Sequence, residues 1–140
     1  MGDAGELLKG FGMAITGDER ALDRVASSDI EFHDSMQGTT GIATLKPYLN
    51  AWAVAFADAR IEFRRVLEGD DGAAAEIVYR GTHTGPLSGP QGTIAATGRT
   101  VELRGSLWAT IRDGRITSFH GYYDTGAMMT QLGVIPAAVS

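Results

Sequence analysis

Cysteine is absent from the 140 residues, and with it go a disulfide framework, a thiolate nucleophile and any cysteine-ligated metal. Long apolar runs are missing too. The two short ones fall far below the roughly 20 residues that a membrane helix needs. The opening MGDAGELLKG carries acids where a secretory leader would carry bases. The expectation is a cytoplasmic chain with no membrane partner. Clustered cations are lacking as well: the formal net charge is -5 and Arg64-Arg65 stands alone, too little to hold a phosphate backbone, so no nucleic-acid partner is expected. There is no GxSxG, no phosphate loop and no GxGxxG, and His33, His83 and His120 do not have the spacing of any standard metal site. With neither cofactor nor metal expected, any chemistry falls to acid-base side chains.

What is present is the mixture of a soluble globular protein, 44% hydrophobic and 21% charged, in a chain of one-domain length, so residues 1–140 read as a single domain with a core and room for a small cavity. The clearest pattern runs from Val101 to Asp124. Val101, Leu103, Gly105, Leu107, Ala109 and Ile111 alternate with Glu102, Arg104, Ser106, Trp108, Thr110 and Arg112, the period of a half-buried strand. Asp113-Gly114 then forms a tight hairpin turn, and Ile116 to Asp124 is the return arm.

Upstream, the spacing of Leu7, Leu8, Phe11, Met13, Ala14 and Ile15 predicts an amphipathic helix over Glu6–Thr16. Gly17-Asp18 ends it, and Asp18 is a candidate N-cap for a short second helix. Ser27–Asp34 reads as a strand. A third helix runs from Ile42 to about Ala57, with Leu45, Tyr48, Leu49, Trp52, Ala53 and Phe56 as its apolar stripe. Arg60–Leu67 and Ala74–Thr84 pair as a second hairpin about Gly69–Gly72. The segment TGPLSGPQGTIAATG (84–98), rich in Gly, Pro, Ser and Thr, reads as a long loop or irregular strand end, a candidate lid, and Gly126–Leu132 as a closing helical turn. The fold class is α+β: three N-terminal helices packed on one face of a strongly curved, mostly antiparallel sheet, enclosing a cone whose open end takes a small molecule.

Asp34 is the sharpest chemical signal. It keeps step with Ile30 and Phe32 and so faces the apolar side, where desolvation raises a carboxylate's pKa toward the range of a general base. The competing reading is a turn cap over Ser35–Gly38. His83 shares parity with Ile77 and Tyr79 and is a candidate proton donor or acceptor at the mouth of the cone. His120 and Asp124 share a face with Ile116, Ser118 and Tyr122, opposite Phe119, Gly121 and Tyr123. Parity makes them partners, and leaves open whether they face the cavity or a dimer contact. The expected catalytic set is thus Asp34, His83, His120 and Asp124. Trp52, Phe56, Phe32, Tyr79, Leu107, Phe119, Gly121 and Tyr123 form the expected ligand-binding wall.

DIEFHD (Asp29–Asp34), RGTHTG (Arg80–Gly85), TGRTVELRG (Thr97–Gly105), RDGRI (Arg112–Ile116) and QLGVIP (Gln131–Pro136), in this order and spacing, resemble the SnoaL-like polyketide cyclase family, within the superfamily that shares the nuclear transport factor 2 (cystatin-like) fold with ketosteroid isomerase. The resemblance implies an α+β barrel, a homodimer and a deep apolar pocket for a polycyclic, polyketide-like molecule, worked on without metal or cofactor by cyclisation, isomerisation or hydroxylation. It also implies two departures. The family's acid-base aspartate falls on Gly121 and its first-arm histidine on Leu107, so both positions lack a catalytic group. Asp34 matches the place of ketosteroid isomerase's proton-shuttling aspartate, and Tyr79, Tyr123, His83 or Trp52 must then supply donors. The inner hairpin face (Leu103, Leu107, Ala109, Phe119, Gly121) becomes a pocket wall, and the outer face (Ser106, Trp108, His120, Tyr122) a dimer surface. A ligand-binding protein or accessory subunit without catalysis is the alternative.

Overall fold

The computed structural model describes residues 2–89 and 92–134. In chain order the elements are α1 (Asp3–Ile15), α2 (Glu19–Val25), β1 (Ala26–Asp34), α3 (Ile42–Ala55), β2 (Arg60–Gly69), β3 (Gly72–Thr82), β4 (Leu87–Gly89), β5 (Gly92–Ile94), β6 (Thr100–Arg112), β7 (Arg115–Tyr123) and α4 (Thr125–Leu132). The expected caps and turns hold the joints. The Asp18 carboxylate accepts from the Ala21 N–H at 3.2 Å, and Asp113 and Gly114 sit at φ 52 and 74, the pair of positive values that a two-residue primed turn requires. Among the described residues no helix is long and apolar enough to cross a membrane.

Five strands form one sheet in the order β1-β7-β6-β3-β2. All neighbours are antiparallel except β1, which runs parallel to β7. The expected cone is therefore a curved mixed sheet left open, with β1 and β2 as its edges, rather than a closed barrel. Helix α1 lies across β2, β3, β6 and β7, and α3 packs on β1 and β4. The glycine-rich stretch after His83 is more ordered than its composition predicts: Leu87–Gly89 and Gly92–Ile94 pair as a small hairpin, with Leu87 buried in the core. Pro90 and Gln91, at its tip, lie outside the described residues.

Register explains where the core sits. On the concave face, Ala73, Ala109, Phe119 and Phe32 form one cross-strand row. Val66, Ala75, Leu107, Gly121 and Asp34 form the next, then Phe63, Ile77, Gly105 and Tyr123, then Ile61, Tyr79 and Leu103. The first row carries the stack that closes one end of the interior: Phe11 from α1 lies 3.9 Å centroid to centroid from Phe119, and Phe119 lies 5.8 Å from Phe32. The next two rows carry glycines, and the sheet is hollow there.

One parity expectation fails locally. Ile116 was grouped with Ser118, His120 and Tyr122, yet it is fully buried with Phe119. The β6–β7 register steps from Thr110–Ser118 to Ile111–Ile116, so Thr117 is the extra residue of a bulge that turns the strand over.

Candidate functional site

The hollow in the sheet is roofed by α1 and α3. It is lined by Ile15, Phe32, Asp34, Tyr48, Leu49, Trp52, Ile61, Ile77, Tyr79, Leu103, Leu107, Phe119, Gly121, Tyr122 and Tyr123. It leaves ≈ 60 Å³ to the centres of water-sized molecules, within ≈ 590 Å³ of atom-free space that includes open solvent. A drug-sized ligand needs a cleft of roughly 300–1,000 Å³.

Two glycines stand on the concave rows for different reasons. At Gly105 a Cβ would stand 2.3 Å from the Tyr122 carbonyl oxygen, so no other residue fits without moving β7. At Gly121 a Cβ would meet Asp34, Leu107 and Phe119 at 3.6–3.7 Å, ordinary contact. That position lacks a side chain for the sake of space, not backbone.

Asp34 stands at the inner edge of this space, 9% exposed. It is desolvated and it also caps a turn. One oxygen caps the following turn: Oδ1 accepts from the Met36 and Gln37 N–H groups at 2.8 and 2.7 Å. The other faces Tyr48, whose hydroxyl donates to the carboxylate with Oη 2.8 Å from Oδ2 and 3.0 Å from Oδ1. Burial pushes the carboxyl pKa above its ordinary value, and the Tyr48 and backbone hydrogen bonds offset only part of that. Oδ2 has Tyr48 as its single partner, so it keeps acceptor capacity toward the cavity.

Tyr48 is the functional residue that the strand pattern does not reveal. It sits one turn before Trp52 on α3, at helical i, i+4 spacing, and this brings its ring against Phe32 and Trp52 at 5.9 and 6.5 Å. Its phenol pKa is driven up by burial and by the neighbouring Asp34 charge, so it remains a donor. Trp52 is the hub of the roof, edge-on to Tyr79 at 6.0 Å and to Tyr123 at 5.9 Å. Phe56 lies behind it, stacked at 5.7 Å, and supports the wall without lining it.

The other candidates lie elsewhere. His83 follows the end of β3 and keeps its inward parity, continuing the ladder to β6 with its N–H donating to the Arg99 carbonyl and its carbonyl accepting from the Gly98 N–H, both at 2.8 Å. Its ring is fully buried against Phe56, 5.3 Å away, and Nδ1 accepts from the Thr97 N–H at 3.2 Å, pinning the arm that carries β4 and β5. Burial lowers its pKa and keeps it neutral, and it does not reach the cavity. His120 is on the outer face, with Nδ1 3.1 Å from the Tyr122 hydroxyl and its ring 5.5 Å from that of His33. Asp124 is not its partner: it is the N-cap of α4, accepting from the Ala127 N–H at 2.9 Å, a role its place before a helical segment favours. No described residue of the 86–97 segment lines the cavity. Among the described residues no cluster of three His, Asp or Glu side chains is arranged to hold a metal ion.

Comparison with known proteins places this geometry in a family. Residues 11–132 match the family model of the SnoaL-like polyketide cyclases. A comparison with curated protein sequences finds no significant match. Among solved structures the chain resembles TsrD from Streptomyces laurentii (TM-score 0.80, 23% identity, covering 95% of this chain and 96% of that one). It also resembles IdmH from Streptomyces antibioticus, described as a candidate polyketide cyclase (0.77, 22%, 93% and 98%). A third likeness is a protein with a ketosteroid isomerase-like fold from Catenulispora acidiphila, solved with trimethylamine (0.73, 21%, 91% and 92%). These likenesses show the fold.

Proposed function

Since the chain belongs to the SnoaL-like polyketide cyclase family, we propose that it is a cofactor-independent enzyme. Its substrate is a hydrophobic, ring-containing, polyketide-like molecule, and Asp34 is the proton acceptor. The observation that carries the reading is the desolvated Asp34 carboxylate on the wall of an otherwise apolar cavity, one oxygen fixed by backbone N–H groups and the other turned to Tyr48. A base held this way takes a proton from a carbon acid whose ring sits edge-first in the cavity, and returns it at another carbon or leaves the carbanion to close a ring. Tyr48 is oriented to share the charge change on Asp34. The hydrogen-bond donor expected of His83 passes to the cavity tyrosines, because His83 is occupied with Thr97.

The test is solvent-proton exchange. A panel of bicyclic and tricyclic ketones in D2O, followed by proton NMR, should show enzyme-dependent deuterium uptake. Asp34→Asn should lower the rate by about 10²–10⁴-fold. Unchanged exchange in the variant would remove Asp34 from the role. A second reading, a binding protein or accessory subunit that keeps the cavity without catalysis, is favoured by the glycine and leucine at the positions where the family carries its hairpin acid-base pair. Binding of these ketones with no exchange would select it.

The convex face carries Trp108 and Tyr122, 55% and 47% exposed, and we assign it to a homodimer contact in a cytoplasmic protein. Light scattering at micromolar concentration tests the dimer.

A further inference from the structure

Three polar atoms are buried with no hydrogen-bond partner among the described residues: the hydroxyls of Tyr79 and Tyr123, and His83 Nε2. The histidine belongs to the arm behind Phe56. The two phenols share the cavity wall, and there the absence of partners has a meaning, because a hydroxyl sealed from water without a partner costs stability that a tyrosine-to-phenylalanine change would recover. Tyr123 lies beside the Tyr48 hydroxyl, near enough to feel it but outside hydrogen-bond geometry. Tyr79 is 7% exposed and its ring packs nearly perpendicular to those of Trp52 and Phe56.

We propose that Tyr79 and Tyr123 form a two-donor pair that grips one acceptor oxygen of the ligand, a ketone or enolate oxygen on a ring, and that this pair selects which apolar molecule the cavity takes. The inference deepens the reading of the site given above and rests on it. Both rings hang from adjacent cross-strand rows, Tyr79 opposite Leu103 and Tyr123 opposite Gly105, and both line the cavity. Desolvation holds both phenols above their ordinary pKa, so both keep the proton they donate. Tyr123 is two residues along β7 from Gly121, which is in register with Asp34. Two residues of strand span about 6.6 Å, roughly the width of a ring. An oxygen held by the pair therefore turns the carbon beside it toward Asp34. A hydrocarbon of the same shape leaves both phenols unpaired, and sites of this kind reject such ligands strongly.

The experiment compares 1-tetralone with tetralin, two bicyclic molecules that differ in one oxygen. Binding is followed by calorimetry and NMR, and the tetralone carbonyl stretch by infrared spectroscopy. The wild-type protein should prefer 1-tetralone by about tenfold or more, Tyr79→Phe and Tyr123→Phe should each cut that preference by about three- to tenfold, and the double variant should erase it. The carbonyl stretch should be shifted down when bound to wild type and recover stepwise in the variants, a signature that a merely structural tyrosine would not move. Circular dichroism checks that the variants fold. Equal affinity for the two probes, an unchanged preference in both variants, or no tetralone binding at millimolar concentration would overturn the proposal. Ketone selectivity with no proton exchange leaves the donor pair standing and removes the enzymatic reading. Asp34-dependent exchange without tyrosine-dependent selectivity does the reverse.

Discussion

The two faces of the sheet are built from neighbouring residues of the same strands and behave as different media. Asp34, Leu107, Gly121 and Tyr123 turn inward, while His33, Trp108, His120 and Tyr122, each adjacent in sequence, turn outward. On the convex face a histidine and a tyrosine share a hydrogen bond in water. On the concave face a carboxylate with four hydrogen bonds still has its pKa raised, because desolvation outweighs them. The lesson is that side-chain type does not pick out a reactive group here. Exclusion of water does, and strand parity decides which groups suffer it.

The contrast can be broken where it is built most tightly. Gly105→Ala forces a methyl group against the Tyr122 carbonyl and should lower unfolding free energy by about 2–3 kcal/mol, read from urea denaturation, as overpacking does. Gly121→Ala, with only ordinary contacts waiting for its Cβ, should change stability by less than about 1 kcal/mol while narrowing the cavity. Equal effects at the two glycines would mean that β7 shifts freely and that the hollow is not rigid.

Proton linkage sharpens the difference next. The Asp34 carboxyl titrates above its value of 3.8 in the unfolded chain, so its contribution to stability is fully present below that value and is lost as pH rises through its raised folded pKa. Asp34→Asn should lack this loss, so wild type should weaken relative to the variant across that window in pH-resolved denaturation. The opposite slope would mean that Tyr48 and the backbone N–H groups outweigh burial. The same raised pKa places the acid limb of the activity profile above the ordinary carboxylate range. On the convex side the smallest effect is expected: Trp108→Ala should leave folding within about 0.5 kcal/mol and turnover unchanged, weakening self-association alone.

Much of this was readable from the sequence because alternation along β6 runs without a break, and because Asp34 keeps step with Ile30 and Phe32. The inward set of Trp52, Tyr79, Leu107, Phe119, Gly121 and Tyr123 follows from those patterns and from one helical stripe. What was not readable is non-local or lies at element ends. Pairing of Tyr48 with Asp34 depends on how α3 is rotated over the sheet. Parallel pairing of β1 with β7 leaves no local trace, the bulge at Thr117 reverses Ile116 without a glycine to announce it, and the inward parity of His83 does not tell that its ring is buried against Phe56 rather than in the cavity. The Asp124 cap did have a signal, an aspartate just before a helical segment, which its shared parity with His120 masked.

The parallel contact of β1 with β7 carries a consequence for synthesis. Asp34 and Gly121 are register partners, yet at about 5–20 residues per second a ribosome makes the second roughly 4–17 s after the first. Until then the strand bearing the carboxylate has no sheet neighbour on either side, since β7 is its only partner in the sheet. The nascent chain therefore cannot bind its ligand, and more than half of translation, from Asp34 to Gly121, is the period in which the strand is exposed to pairing with the wrong partner.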